Sequence, residues 1–540
     1  MFYLPTTDYK STIVRGALIL TISNVLVKVL SALYIIPLTN LIGEQGMGYL
    51  NSAYTIYIII FIIATAGLPV AISKMVASAN ALGRFNESRR ILKVAIFVYI
   101  FVSLFLTVFL ISGASFLSGF LNNPYSYYSF IVVAPSILII TATAAIKGYF
   151  QGYSNMVPTA IANLIEAVTK CFFGLLIPYL LLKKGYSLPI VSAGAISGVT
   201  IGSFASGIYI LLVFLIKRLK SALPAYIKAL PSRKSPEILK EFLALALPVM
   251  ISALSLNMTN AMDLVLIMKR LVASGLSAQQ ANILYGSYSS MAVTFFNMPT
   301  LIILGISTSI IPAIAAAFAI NNKRRINNTI NYTYKVTSIL ATPMAIGISF
   351  FAYPILNLLF SSRPIGVGIA VPLLTVLSLA VIPLCLACIT NAIFLSIGKP
   401  FIPVFSILIG GAVKLIVNYI LIGIPSVRMM GAPISTNICY IIIVILNFYW
   451  LYKYTNVYPK IIEVFVKPII CALGCCLVAY FAYYYLGKFI NFKVSLLIAM
   501  PIGAIIYVVL LFLSGLVDKN DEIIKKIVKT FQKYLKIKDR

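Results

Sequence analysis

Three lysines lie well inside long apolar segments of the chain, where charged side chains are rare. Lys28, Lys170 and Lys414 each have strongly apolar sequence on both sides. Placing an ammonium near the middle of a bilayer costs about 3 kcal/mol on insertion scales. Lysines at that depth normally face a watery cavity inside the protein, where they can bind an anion. The sequence therefore predicts a transporter whose cargo is negatively charged and is contacted by these three lysines.

Each of these lysines also has a less specific interpretation. Lys28 can extend its ammonium to the membrane surface, although it lies far from the inner end of its segment. Glu166 and Lys170 are four residues apart and share a helix face. They either neutralise each other so that the helix can enter the membrane, or Glu166 directs Lys170 toward a cavity. Gly410 stands one turn before Lys414, so we expect Lys414 to be unpaired and free to contact phosphate.

A second polar group lies on the segment that contains Asp263 and Asn260 and ends with Lys269 and Arg270. The polar residues either hydrogen-bond between helices or line the cavity, and the two cations either join them or anchor the outer interface. Lysine binds phosphate as a point charge, whereas arginine forms a two-pronged contact. A cavity lined by lysines is thus expected to neutralise charge more than to recognise shape.

The composition is that of a membrane protein. The chain has 540 residues, of which 61% are hydrophobic and 10% are charged, whereas soluble domains have about 25% charged residues. The net charge of +30 is spread over short segments between apolar ones, so it indicates membrane orientation and not nucleic acid. Histidine is absent, and the seven cysteines lie in apolar segments. We predict no metal, no cofactor and no enzymatic chemistry.

A helix needs about 20 mainly apolar residues to cross a bilayer. Fourteen segments qualify, so we predict an all-α polytopic membrane protein with 14 transmembrane helices. The predicted spans are 13–38, 48–73, 91–113, 127–147, 158–182, 188–216, 242–268, 285–318, 332–360, 366–397, 402–423, 431–452, 468–487 and 494–516.

The connecting segments set the orientation. Placing the N-terminus in the cytoplasm puts the basic clusters 84–93, 217–240 and 323–325 on the cytoplasmic side, with a roughly fourfold excess of Lys and Arg over the other side. We therefore predict a multi-pass membrane protein with both termini cytoplasmic. The lysine-rich end of the chain predicts an amphipathic helix on anionic inner-leaflet lipids.

Two halves of the sequence resemble each other. Segments 152–170 and 398–414 both run from glycine through a short loop to proline, and then reach a buried lysine eleven or twelve residues later. This pattern predicts two six-helix lobes in a parallel repeat, an arrangement that places the substrate site between the lobes. The predicted parts are lobe 1–216, basic linker 217–241, lobe 242–452, two further helices 468–516 and a cytoplasmic tail 517–540.

Four segments resemble the polysaccharide-transporter branch of the MOP flippase superfamily, and within it the stage V sporulation protein B and MurJ-like group. They are residues 15–54, 65–77, 147–170 and 260–271. The resemblance implies two lobes in a V around a central cavity and a lipid groove formed by the last two helices. It also implies flipping of an undecaprenyl-pyrophosphate-linked saccharide, which is lipid II in the MurJ-like case, across the bacterial cytoplasmic membrane. By this resemblance, charged positions of the family are matched by Lys28, Glu166, Lys170, Asp263, Lys269 and Arg270.

We predict transport by alternating access as a monomer, driven by the membrane potential or a coupling ion, in peptidoglycan synthesis or sporulation. One alternative is an exporter of another lipid-linked polysaccharide unit. Another is a multidrug or cation antiporter, which needs buried carboxylates; only Glu166 and Asp263 are predicted to lie deep. A third is a scaffold without transport activity, which would have no use for buried lysines.

Overall fold

The computed structural model describes residues 9–220, 233–319 and 323–516, and within these ranges the chain is helical without a strand. The predicted all-α class is confirmed. The first nine helices are α1 (Tyr9–Thr65), α2 (Leu68–Ala81), α3 (Phe85–Ser112), α4 (Ala114–Phe120), α5 (Tyr127–Gly152), α6 (Val157–Lys183), α7 (Leu188–Lys220), α8 (Ser235–Ala273) and α9 (Ala278–Ser287). The others are α10 (Val293–Ala319), α11 (Lys323–Phe350), α12 (Ala352–Leu359), α13 (Pro364–Leu377), α14 (Val381–Ser396), α15 (Phe401–Ile422), α16 (Gly431–Thr455), α17 (Lys467–Leu486) and α18 (Phe492–Leu513).

Helix α1 contains predicted span 13–38 and most of predicted span 48–73. Its 57 residues exceed the length of one crossing, and Gly43, with a φ of 72°, interrupts the helical backbone. The guanidinium of Arg363 donates hydrogen bonds to the carbonyls of Asn40, at 2.9 Å, and Leu41, at 3.0 Å. It therefore satisfies carbonyl groups that the helix leaves unpaired at the break.

Ten helices of the described ranges are long and apolar enough to cross a membrane, or eleven if the pair α11 and α12, bent by 75°, is one span. The chain is a multi-pass membrane protein. The first of these helices, Ile22–Ala81, combines two predicted spans. Predicted spans 242–268 and 285–318 fall on α8, α9 and α10, where some side chains lie outside the described part. The number fourteen stays a prediction.

The chain divides into two compact units that alternate along the sequence. The first unit is Met1–Thr294, Phe360–Ala370 and Ile407–Ser435, and the second is Phe295–Leu359, Val371–Ser406 and Thr436–Arg540. In the first unit, α5 packs against α2, α3 and α7, while α6 packs between α1 and α7. Gly198 of α7 lies directly against Gly174 of α6. Residues as small as glycine let membrane helices approach this closely.

In the second unit, α17 and α18 pack against each other and α17 packs against α11. The hydroxyl of Tyr507 on α18 donates to the carbonyl of Ile339 on α11 at 2.8 Å. Tyr334 of α11 and Thr390 of α14 share a hydrogen bond of 3.0 Å. The first bond connects α18 to α11, and the second connects α11 to α14. Their predicted role as a lipid groove stays a prediction.

The predicted basic linker and tail are mostly outside the described residues. Residues 221–232 of the linker and the whole tail 517–540 fall there. At the described end of the linker, Nε of Arg233 lies 2.5 Å from Oε1 of Glu87, whose side chain is buried. This ion pair connects the start of α8 to α3.

Candidate anion-binding site

A cavity of about 400 Å³ lies within the first unit, between α1, α2, α5 and α6. Apolar and polar side chains both line it, and the charged ones come from α5 and α6. Its polar lining residues are Ser31, Tyr54, Thr65, Lys147, Asn163, Glu166 and Lys170.

Lys147 extends into this cavity from α5, after the buried residues Ala144 and Ala145. Its Nζ donates a hydrogen bond to Oδ1 of Asn163 on α6 at 2.9 Å. The same Nζ lies 3.7 Å from Oε2 of Glu166. The amide of Asn163 in turn donates to Oδ1 of Asn24 on α1 at 3.4 Å. Lys147 is therefore held by a neutral acceptor and lies beside a carboxylate.

Lys170 extends into the same cavity from α6, one turn after Glu166. Its Nζ lies 5.1 Å from the centre of the Tyr54 ring, within range of a cation–π contact. Among the described residues, no carboxylate lies within salt-bridge distance of Lys170. The cavity thus has two ammonium groups and one carboxylate, so its charge is net positive and suits an anion.

The partner predicted for Glu166 is corrected by these distances. Sequence spacing predicted a pair with Lys170 on the same helix, whereas the described salt bridge joins Glu166 to Lys147 on a neighbouring helix. Lys147 was missed as a site residue because it stands at the last position of predicted span 127–147, where lysines commonly anchor a helix. One feature of the sequence could have indicated a functional role for Lys147. The segment 147–170, which resembles the polysaccharide-transporter family, begins with this lysine.

Lys28 lies on α1. Asn24 is one turn before it and Ser31 about one turn after it, so the three residues share a helix face. Ser31 lines the cavity and Asn24 contacts the lining residue Asn163. The side chain of Lys28 itself is exposed and is outside the lining. Its contact with cargo stays a prediction.

Lys414 has a buried acidic partner, so its predicted lack of one is wrong. Its Nζ lies 2.8 Å from Oδ2 of Asp263, and the two side chains are each 10% exposed. Asn418, one turn later on α15, donates to the other oxygen of Asp263, and Ser435 of α16 donates to Asn418 at 2.6 Å. Asp263 is on α8, so only the packing of α8 against α15 brings the charges together. Its carboxylate neutralises the lysine, which is therefore a poor candidate for a free phosphate contact.

The two cations at the end of α8 contact aromatic rings. Nζ of Lys269 lies 3.8 Å from the centre of the Phe120 ring. Arg270 stacks on Tyr419 at 4.1 Å and donates to its carbonyl at 3.0 Å. Both contacts fit the interpretation that these residues hold helix ends together. The side chain of Asn260 lies outside the described part of the chain.

The all-helical fold with its long apolar helices is that of a multi-pass membrane protein, and comparison with known proteins identifies its class. The profile of the polysaccharide biosynthesis protein family matches residues 13–318, and that of the MatE family matches residues 286–420. The first match covers more than half of the chain. The chain therefore belongs to the polysaccharide biosynthesis protein family, among the flippases and transporters of the MOP superfamily.

Individual relatives extend this result over almost the whole length. The chain is 24% identical to the lipid II flippase MurJ of Bacillus subtilis (strain 168), covering 94% of this chain and 96% of that protein. It is 23% identical to the stage V sporulation protein B of the same organism, covering 95% and 97%.

Two solved structures share the fold. One is the lipid II flippase MurJ in an inward closed conformation, with a TM-score of 0.70 and 16% identity over 91% of this chain and 98% of that chain. The other is an inward-facing MATE multidrug resistance transporter, with a TM-score of 0.66 and 17% identity over 79% and 94%. The predicted family and MATE/MurJ-like fold are confirmed, and the relatives are transporters and not enzymes.

Proposed function

We propose that this chain flips an undecaprenyl-pyrophosphate-linked saccharide, in the first instance lipid II, from the inner to the outer leaflet by alternating access. The observation that carries the proposal is the cavity with Lys147, Lys170 and the single carboxylate of Glu166. Its net positive charge opposes a cationic cargo and attracts pyrophosphate. The similarity to a lipid II flippase over 94% of the chain supports the same cargo.

The proposed orientation has both termini in the cytoplasm, as the loop charges predict. The membrane potential or a coupling ion would drive the cycle, since moving one charge across 100 mV changes its energy by about 2.3 kcal/mol. We keep the monomer as the working assembly.

The rival function is a drug or cation antiporter, favoured by the MatE match over residues 286–420. A cation exchanger needs an accessible carboxylate in its cavity. Glu166 lies beside Lys147 and Asp263 is paired with Lys414, so the two carboxylates that the sequence predicts to lie deep each have a lysine neighbour. This pairing favours an anionic cargo over a cationic one.

The test is a flipping assay in proteoliposomes with fluorescent lipid II and, separately, efflux of a cationic dye. We expect flipping by the parent, at least about tenfold slower flipping by Lys170→Met, and no dye efflux. Lys460→Met is the matched control, because Lys460 forms an exposed ion pair with Glu463 at 3.0 Å and such pairs contribute little. Dye efflux without lipid flipping would establish the rival function. A parental rate of lipid II flipping in Lys170→Met would show that Lys170 does not contact the cargo.

Complementation separates the physiological roles. A Bacillus subtilis strain depleted of its lipid II flippase should regain growth if this chain acts in vegetative peptidoglycan synthesis. A strain lacking stage V sporulation protein B should regain spores if it acts in sporulation.

A further inference from the structure

The contact between Lys147 and Glu166 differs from the buried pair of Lys414 and Asp263, which also belongs to the first unit. The 3.7 Å between Nζ and Oε2 exceeds the roughly 2.7–2.9 Å of a charge-assisted hydrogen bond, whereas Lys414 and Asp263 are 2.8 Å apart. Glu166 is also the more accessible partner, with 30% of its side chain exposed against 13% for Lys147. The carboxylate is therefore a loosely held neighbour of an ammonium that Asn163 holds in place.

We propose that Glu166 is the resting counter-ion of Lys147, and that a diphosphate displaces it and bridges Lys147 and Lys170. The inference rests on the proposed function, which supplies a lipid-linked diphosphate as the ligand. It makes the two lysines joint ligands of one diphosphate and gives Glu166 the role of a specificity-determining residue.

The positions of the three side chains support this exchange. Glu166 lies beside Lys147 of the neighbouring helix α5. On its own helix, α6, it lies one turn before Lys170. An anion that takes the place of the carboxylate therefore contacts Lys147 of α5, and an anion longer than a carboxylate extends toward Lys170 of α6 in the same cavity. A diphosphate has two anionic groups and can satisfy both lysines at once. A monophosphate can satisfy one, so it competes less well with the carboxylate that is already present.

The test measures binding to the full chain in lipid nanodiscs, with undecaprenyl diphosphate and undecaprenyl monophosphate as probes. The decisive variant is Lys147→Met with Glu166→Gln, which keeps the net charge of the cavity at its parental value and strands no buried charge. We expect the parent to prefer the diphosphate by at least about tenfold, equivalent to about 1.4 kcal/mol. In the double variant we expect that preference to fall to within about twofold.

A second variant tests the counter-ion role independently. Glu166→Gln alone should raise the affinity for the monophosphate several-fold, because Lys147 no longer has a competing carboxylate. Lys460→Met should leave both affinities unchanged. An unchanged monophosphate affinity in Glu166→Gln would overturn the exchange even if the double variant failed to fold.

The outcomes separate this inference from the proposed function. A parent that flips lipid II and prefers diphosphate, together with a double variant that keeps the preference, would show that net charge alone selects the ligand, and bridging would be wrong. A parent that binds neither probe and flips nothing would overturn both the proposed function and the inference.

Discussion

Replacing Lys414 with methionine removes the ammonium of the buried pair and nearly preserves the length of the side chain. The carboxylate of Asp263 then loses its cation, and Asn418 remains as a hydrogen-bond donor. Breaking a buried ion pair from one side costs about 3–5 kcal/mol, whereas removing both charges together can be nearly neutral. We expect a loss at the lower end of this range, about 3 kcal/mol, because Asn418 continues to solvate the carboxylate.

The assay is thermal stability of the purified protein in detergent, read as the loss of monodisperse protein on heating. Because the shift in Tm per kcal/mol falls as chain length rises, the single variant should melt about 3–6 °C below the parent. Asp263→Asn with Lys414→Met should melt within about 2 °C of the parent. Lys269→Met is the control on α8, since an exposed cation–π contact contributes only about 0.5–1 kcal/mol.

The same variants decide the role of Lys414. Because Asp263 already neutralises this lysine, the double variant should flip lipid II at close to the parental rate. Equal melting temperatures of the single and double variants would refute the reasoning about the buried pair. A stable double variant without transport would restore Lys414 as a cargo contact.

Three further predictions concern topology, Lys28 and the break in α1. Cysteines introduced at Ser115 but not at Ser232, in a variant without native cysteines, should react with an impermeant thiol reagent on intact cells; the opposite pattern would reverse the orientation. Lys28→Ala should reduce flipping sharply at near-normal protein levels, and full complementation by this variant would exclude a role in transport. Gly43→Ala should lower Tm more than Gly83→Ala. Both glycines have a φ near 70°, but only at Gly43 would a Cβ lie 2.9 Å from a guanidinium nitrogen. Equal shifts in Tm would mean that the guanidinium moves aside without cost.

Composition and apolar patterning are enough to predict the class of the protein and the extent of many helices. Predicted spans 158–182, 402–423 and 431–452 correspond closely to α6, α15 and α16. This agreement has a simple physical reason, since about 20 apolar residues satisfy a bilayer through local composition alone. The motif-bearing segments likewise identified the family without any contact information.

Which charged side chains contact each other depends on how the helices pack. Lys147 pairs with Glu166 across α5 and α6, and Lys414 pairs with Asp263 across α15 and α8. Sequence spacing indicates only partners on one helix, three or four residues apart. Partners on different helices depend on how each helix is rotated and on how closely small residues let the helices approach. Those quantities arise from packing, so the cation pair of the cavity became visible only in the folded chain.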